Sequence, residues 1–357
     1  MTEDAPIDSY FKRNWKLILN LVTVAALILL IVAVRTQLLQ TFHDLARVHA
    51  WALLLLIPIE ALNYHAQAKM YQGMFEIVEE KLKYGFLYKL SLELNFVNHV
   101  FPSGGVTGIS YFGLRLKRDG VSPAKGTLVQ LMKLVLTFMS FELLLLMGML
   151  ILSAVGKANN SIIFIGTAIT TLVFVGTGIA WYIIADRTRV QAFFVNSTRV
   201  LNKLIQLVRP KHPETISLEK ARPVFDELHD NYRLFQTKFP QLQRPFWWAL
   251  VANITEVGAV YVIFVAFGHF VNVGAVILAY AVANFAGLVS VLPGGVGVYE
   301  ALMTGVLLAG GVPAGISISA TVMYRVLNTL LQIPPGYYLY HRSLTRNKVP
   351  LEEIQNE

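Results

Sequence analysis

Long uncharged runs, separated by short charged segments, set the rhythm of this chain. The runs at residues 17–34, 50–68, 129–155, 161–185, 246–268 and 313–340 are each long enough, at about 1.5 Å per residue, to cross a hydrocarbon layer about 30 Å thick. They predict six membrane-crossing helices. Two further apolar runs are broken: residues 85–114 at Pro102-Ser103-Gly104-Gly105, and residues 273–310 at Pro293-Gly294-Gly295. Proline removes a backbone donor and glycine loosens the chain. Each half of these runs is short for a crossing, so each run is expected to fold as a re-entrant helical hairpin with its tip buried in protein. The predicted fold class is therefore all-α: a polytopic integral membrane protein with about six transmembrane helices and two re-entrant hairpins.

Composition sharpens this. Only 15% of the 357 residues are charged, against about 25% in soluble domains. Between Pro245 and His341 the formal charges are Glu256, Glu300 and Arg325 alone, so the solvent around that stretch must be lipid. The absence of cysteine excludes disulfides and thiol catalysis. The first run follows Lys12, Arg13 and Lys16, is long for a signal peptide core, and has no small-residue cleavage site after it, so it is expected to be retained as a helix. The net charge of +8 reports on topology. With the N-terminus cytoplasmic, 25 Lys/Arg fall in inside segments and 3 outside, the bias expected for both termini on the cytoplasmic side of the cell membrane.

The runs divide the chain into a membrane half (residues 1–185, hairpin 85–114), a linker (186–244), a second membrane half (245–341, hairpin 273–310) and a tail (342–357). In the linker, Leu218, Phe225, Tyr232 and Phe239 recur every seven residues, with Ala221, Leu228 and Phe235 between them. That spacing predicts an amphipathic helix from near Ser217 to Pro240. A second, basic amphipathic stretch over 189–209 would suit either an anionic leaflet or the protein's own cytoplasmic face.

The two broken runs also resemble each other. Phe101-Pro-Ser-Gly-Gly-Val-Thr-Gly matches Leu292-Pro-Gly-Gly-Val-Gly once Ser103 is skipped, and Gly120-Val-Ser-Pro-Ala matches Gly311-Val-Pro-Ala. The topology makes the copies inverted, a recurring plan in secondary transporters. The same motifs, with Tyr299-Glu300-Ala and Tyr324-Arg325 after the second, resemble the flippase-like transmembrane domain of lysylphosphatidylglycerol synthases. The first copy departs from that pattern: the arginine that often follows the glycines is represented at the nearest by Arg115. The resemblance implies movement of a lipid, aminoacylated, phospholipid or polyprenyl-linked. Family synthases carry a separate soluble domain after the membrane part. The chain ends 16 residues after His341, so it is expected not to synthesise the lipid itself and not to be an enzyme.

Charges within a membrane are costly, about 2.5 kcal/mol or more at a helix centre, and mark function or a structural pair. Glu300 and Arg325 are the leading candidates. Arg325 would hold a lipid phosphate with Glu300 as counter-ion; the alternative is an ion pair locking the second hairpin to the last helix. Glu256 follows Asn253 by three residues, and Glu60, Asn63 and Gln67 form a polar stripe on the second run. Such stripes face a cavity or another helix. Lys133 and Glu142 share a run but lie on opposite sides of it, and Lys133 is expected to snorkel to the surface. Asn95, Asn98, His99, Ser103, Gly104 and Gly105 at the first tip, and Asn284, Gly294, Gly295, Gly297 and Tyr299 at the second, complete the candidate path, because helix N-termini meeting at the tips would suit a phosphate. No P-loop, Rossmann, nucleophile-elbow or metal-ligand spacing is present, and basic residues follow membrane flanks rather than a nucleic-acid face. No cofactor or metal is expected. The expected partner is a membrane lipid with a phosphate headgroup, with a separate lipid-modifying synthase or glycosyltransferase as a further candidate. The rival readings are a membrane enzyme or accessory subunit acting on polyprenyl-linked sugars, and a scaffold for a synthase.

Overall fold

The computed structural model describes residues 48–100, 106–156, 159–184, 237–289 and 297–346, with isolated positions among residues 32–44 and 186–192. The first apolar run, the linker helices expected over 189–209 and 217–240, and both hairpin tips, with Ser103, Gly104, Gly105, Gly294 and Gly295, lie wholly or almost wholly outside the described residues. Regular structure among the described residues is helical throughout.

After a short helical turn at Ala50–Leu53 come α1 (Leu56–Ile77), α2 (Tyr84–Val100), α3 (Val106–Lys117), α4 (Pro123–Ala154) and α5 (Asn160–Ile184). A 3-10 turn at Phe239–Leu242 then leads into α6 (Gln243–Ala266), followed by α7 (Val273–Val289), α8 (Val298–Ala309) and α9 (Ala314–Arg346). Among the described residues, four stretches are long and apolar enough to cross a membrane: Ala124–Ala154 of α4, Asn160–Ile179 of α5, Phe239–Ala266 with α6, and Ala314–Ser343 of α9. The chain is a polytopic integral membrane protein.

The run at 50–68 departs from its expected form. The chain breaks after Leu53, and α1 then continues nine residues past Ala68, through a stretch read as cytoplasmic. Met70, Tyr71, Met74 and Phe75 are almost fully buried there, packed with Leu87, Leu90 and Phe112 of the hairpin. Coverage by neighbours, not apolar composition, sustains this helix.

Helix pairs α2/α3 and α7/α8 fold back on themselves. Glu93 on α2 meets Tyr111 and Arg115 on α3, and Gly310, which caps the end of α8, lies against Ala275 near the start of α7. Each broken run thus forms two antiparallel helices packed on one another.

The order helix, hairpin, long helix occurs twice, as α1–α4 and α6–α9. The helix ends follow the same order. Each half closes its first helix and its hairpin with the same six-residue C-terminal turn, in which the residue after a left-handed one donates back across the last turn. In α1 the left-handed residue is Glu79 (φ 63°), with Glu80 N–H on Phe75 O at 2.9 Å. In α6 it is Gly268 (φ 76°), with His269 N–H on Phe264 O at 2.9 Å. Gly120 and Gly311 play the same part after α3 and α8 (φ 80° and 84°). Glu79 is the non-glycine of the four; Lys238 hydrogen-bonds its carboxylate at 2.9 Å and holds it below the usual carboxylate range.

The two copies run in opposite directions where they meet. His49 N–H binds Ala266 O, Asn63 reaches Ala252 O, and Gly73 packs on Pro245, so α1 and α6 cross antiparallel along their length. The halves also interlock. The first hairpin's α2 packs on α9 of the other half, and α7 of the second hairpin packs on α4. Gly336 admits Phe96 and the Leu92 carbonyl at the first contact, and Gly148 admits Ile277 and Gly274 at the second. A Cβ at Gly336 would stand 2.6 Å from Phe96 Cβ and 2.8 Å from Leu92 O, and the carbonyl cannot rotate away. Gly336→Ala is therefore expected to cost about 1–3 kcal/mol, read as an earlier melting of the detergent-solubilised protein.

Candidate functional site

At the middle of the α1/α6 crossing, Asn63 Nδ2 lies 3.0 Å from Ala252 O, 2.9 Å from Thr255 Oγ1 and 3.1 Å from Glu256 Oε1. Its own Oδ1 accepts from Gln67 Nε2 at 2.7 Å. Ala252 is 189 residues from Asn63, the same interval that separates Glu79 from Gly268. Asn63 therefore sits where the repeat crosses itself, and Gln67 and Glu256, two of its partners, hold equivalent places in the two halves.

From Glu256 the network runs into α9. Tyr324 donates its hydroxyl to Glu256 Oε2 at 3.0 Å. Asn328 donates to Tyr324 at 3.3 Å, and Gln332 donates to both Asn328 Oδ1 (2.9 Å) and Glu60 Oε2 (3.1 Å). Asn95 on α2 donates to Gln332 Oε1 at 2.7 Å and to the Tyr64 hydroxyl at 2.5 Å. Residues 324, 328 and 332 are each four apart, so one face of α9 carries the chain. Glu60, Asn63 and Gln332 are buried, and each has the partner a buried polar group needs.

The second cluster joins the second hairpin to α9. Arg325 Nη1 lies 2.6 Å from Glu300 Oε1, and its guanidinium stacks 4.7 Å over the Tyr299 ring. Glu300 Oε2 accepts from Gly297 N–H at 2.6 Å. Gly297 (φ 90°) is the N-cap of α8, so Glu300 serves the helix terminus and the arginine at once. The Tyr299 hydroxyl is buried with no hydrogen-bond partner among the described residues.

A third cluster lies in the first hairpin. Glu93, almost fully buried, takes Tyr111 OH at 2.7 Å and Arg115 Nε at 2.9 Å on one oxygen. Tyr111 also meets Ser343 of α9 at 2.9 Å. Glu93 and Ser343 are missed by the sequence reading. For Glu93 the signal was available: Glu93 and Arg115 are nearly equidistant in sequence from the Pro-Ser-Gly-Gly segment, as partners across a hairpin must be.

Several expected placements differ. Asn253 does not share a partner with Glu256; it turns to α4, bonding Thr137 O at 3.0 Å and Ser140 Oγ at 2.7 Å. Three residues on a helix leave about 60° between side chains, enough to face two neighbours. Asn284 donates back to Tyr280 O at 2.8 Å. Asn98 is exposed and lies against Gly108 of the returning helix. Lys133 does not snorkel: its Nζ is 3.4 Å from Gln67 Oε1 and 4.8 Å from the Tyr71 ring centre. Glu142 faces Thr170 on α5, so Lys133 and Glu142 serve different neighbours, as their placement on opposite sides of the run implies.

A sequence profile describing the transmembrane region of lysylphosphatidylglycerol synthases matches residues 17–336. The chain belongs to this family. It is also similar to a UPF0104 membrane protein of Methanothermobacter thermautotrophicus, with 32% identity over 97 residues. That alignment spans 27% of this chain and 29% of the archaeal protein. The family match covers both hairpins, the α1/α6 crossing and the polar face of α9, but ends before Ser343.

Proposed function

We propose that this family member moves a phosphate-bearing lipid between leaflets, as a flippase or scramblase. In this reading both termini are cytoplasmic and the two hairpins are re-entrant elements of an inverted repeat. The hairpins enter from opposite faces, and the lipid headgroup passes between the halves along the polar face of α9. The observation that carries the reading is the Arg325–Glu300–Tyr299 group. It sets a guanidinium, a helix N-terminus and an open buried hydroxyl beside one another, next to a proline-glycine tip, in the most apolar part of the chain. Arginine suits a phosphate because its planar fork gives paired donors. Glu300 keeps it neutralised when no headgroup is present and yields it to a stronger anion. The antiparallel crossing at Asn63 and the exchanged contacts α2/α9 and α4/α7 support two halves that rock against each other, as in inverted-repeat transporters. No nucleotide-binding motif is present, so movement is downhill or coupled to an ion gradient. The lipid is aminoacylated, an ordinary phospholipid or polyprenyl-linked.

Lipid carried through purification tests this. Phosphate-bearing lipid extracted from the wild-type protein should exceed that from the Arg325→Ala variant by about tenfold, the equivalent of 1.4 kcal/mol of lost binding. Equal lipid content in two well-folded preparations would remove Arg325 from headgroup binding.

A further inference from the structure

The carboxylates at the centre of the crossing do something the ion pairs cannot. Among the described residues neither Glu60 nor Glu256 pairs with a lysine or arginine; their hydrogen-bond partners are neutral. The donors are also fully engaged. Gln332 Nε2 divides its two hydrogens between Glu60 and Asn328, while Asn63 Nδ2 faces three acceptors with two hydrogens. Glu256 gains Asn63 and Tyr324, whereas Gln332 is the donor described for Glu60, which is 6% exposed. Glu60 and Glu256 lie within electrostatic range of each other; two carboxylates so close in a site shielded from water resist being ionised together, and the one with fewer donors keeps the proton. A separate feature leaves a polar atom of this interior unsatisfied. The Tyr299 hydroxyl, on a residue 7% exposed and without a partner among the described residues, lies in electrostatic range of Glu256, Tyr280 and Tyr324. Its ring carries Arg325 on the other side of the site.

We propose that Glu60 and Glu256 form a proton-binding site, with Glu60 carrying the proton and Glu256 charged, and that its occupancy governs lipid movement. The governing role rests on the transport reading above; the proton site itself does not. The titratable groups on the surrounding helices that these contacts reach include Tyr64 of α1, Tyr88 and His99 of α2, Lys133 of α4, Tyr280 of α7, Tyr299 and Glu300 of α8, and Tyr324 and Arg325 of α9. Of the cations, Arg325 is engaged by Glu300, and Lys133 reaches Glu256 through Gln67 and Asn63.

Infrared difference spectra of the purified protein read the site directly. A protonated-carboxyl stretch should persist at neutral pH in the wild type, disappear in Glu60→Gln and remain in Glu142→Gln. No such band at neutral pH, or a band unchanged in Glu60→Gln, would overturn the proposal. In liposomes, an imposed pH gradient should change the wild-type lipid rate at least threefold, and the ratio of rates with and without the gradient should fall to one in Glu60→Gln. A gradient-insensitive wild type that still moves lipid would end the governing role and leave the transport reading standing. A Glu60-dependent band in a protein that moves no lipid would keep the proton site and end the transport reading.

Discussion

Arg325→Ala is expected to slow lipid movement by about a hundredfold or more. Truncating one partner of a buried, hydrogen-bonded charge pair costs about 2–5 kcal/mol, and each 1.4 kcal/mol is a factor of ten. The side chains of Arg325 and Glu300 are 16% and 13% exposed, so the pair is mostly shielded and the loss falls toward the lower end of that range. Part of that loss would fall on stability, because the Glu300 carboxylate loses its arginine while keeping the Gly297 N–H. The double variant Arg325→Ala with Glu300→Gln separates the two effects. It removes the stranded charge, should melt closer to the wild type, and should remain unable to move lipid. Arg325→Lys keeps the charge but not the planar fork, and should fall between, about tenfold slow. Wild-type rates in a folded Arg325→Ala protein would make the pair a lock between the second hairpin and α9 and nothing more.

Arg115→Ala is expected to cause the largest loss of stability. Glu93 is 3% exposed at its side chain and Arg115 15%, so removing the arginine strands a buried carboxylate at a cost of about 3–5 kcal/mol. Tyr111 remains as a donor, which favours the lower end. Glu93→Gln combined with Arg115→Ala should recover much of the loss, since a neutral amide still accepts from Tyr111. Thermal unfolding in detergent reads both variants. If the double variant is no better than the single, the contribution of Arg115 is its packing over the Phe86 ring and not its charge.

How much of this was legible beforehand depended on what a residue's neighbours do. Long uncharged runs announced α4, α5, α6 and α9, because lipid-facing helices must be apolar along their own length. The Pro-Gly segments marked where α2 gives way to α3 and α7 to α8. The Glu60, Asn63 and Gln67 stripe was readable from helical spacing, and Tyr324, Asn328 and Gln332 could have been read the same way. The far end of α1 was not. Lys69, Gln72 and Glu76 look like a loop until the residues that cover their helix are known. Asn253 and Glu256 share a helical face in a sequence but choose different neighbours in space. The repeat is weak in residue identity because what it preserves is backbone geometry. A glutamate at position 79 does in one half what a glycine at position 268 does in the other.

The central claim, that the chain itself moves lipid, is tested most directly by reconstituting the purified protein into liposomes with a trace of headgroup-labelled phospholipid and quenching the outer leaflet with dithionite. Protein-free vesicles lose about half of the signal, since half of the label faces outward. Vesicles containing the wild-type protein should lose nearly all of it, and those containing Arg325→Ala should behave as if empty. Protection of the inner-leaflet label by wild-type vesicles, across phosphatidylglycerol, its lysyl derivative and a polyprenyl phosphate, would contradict the account.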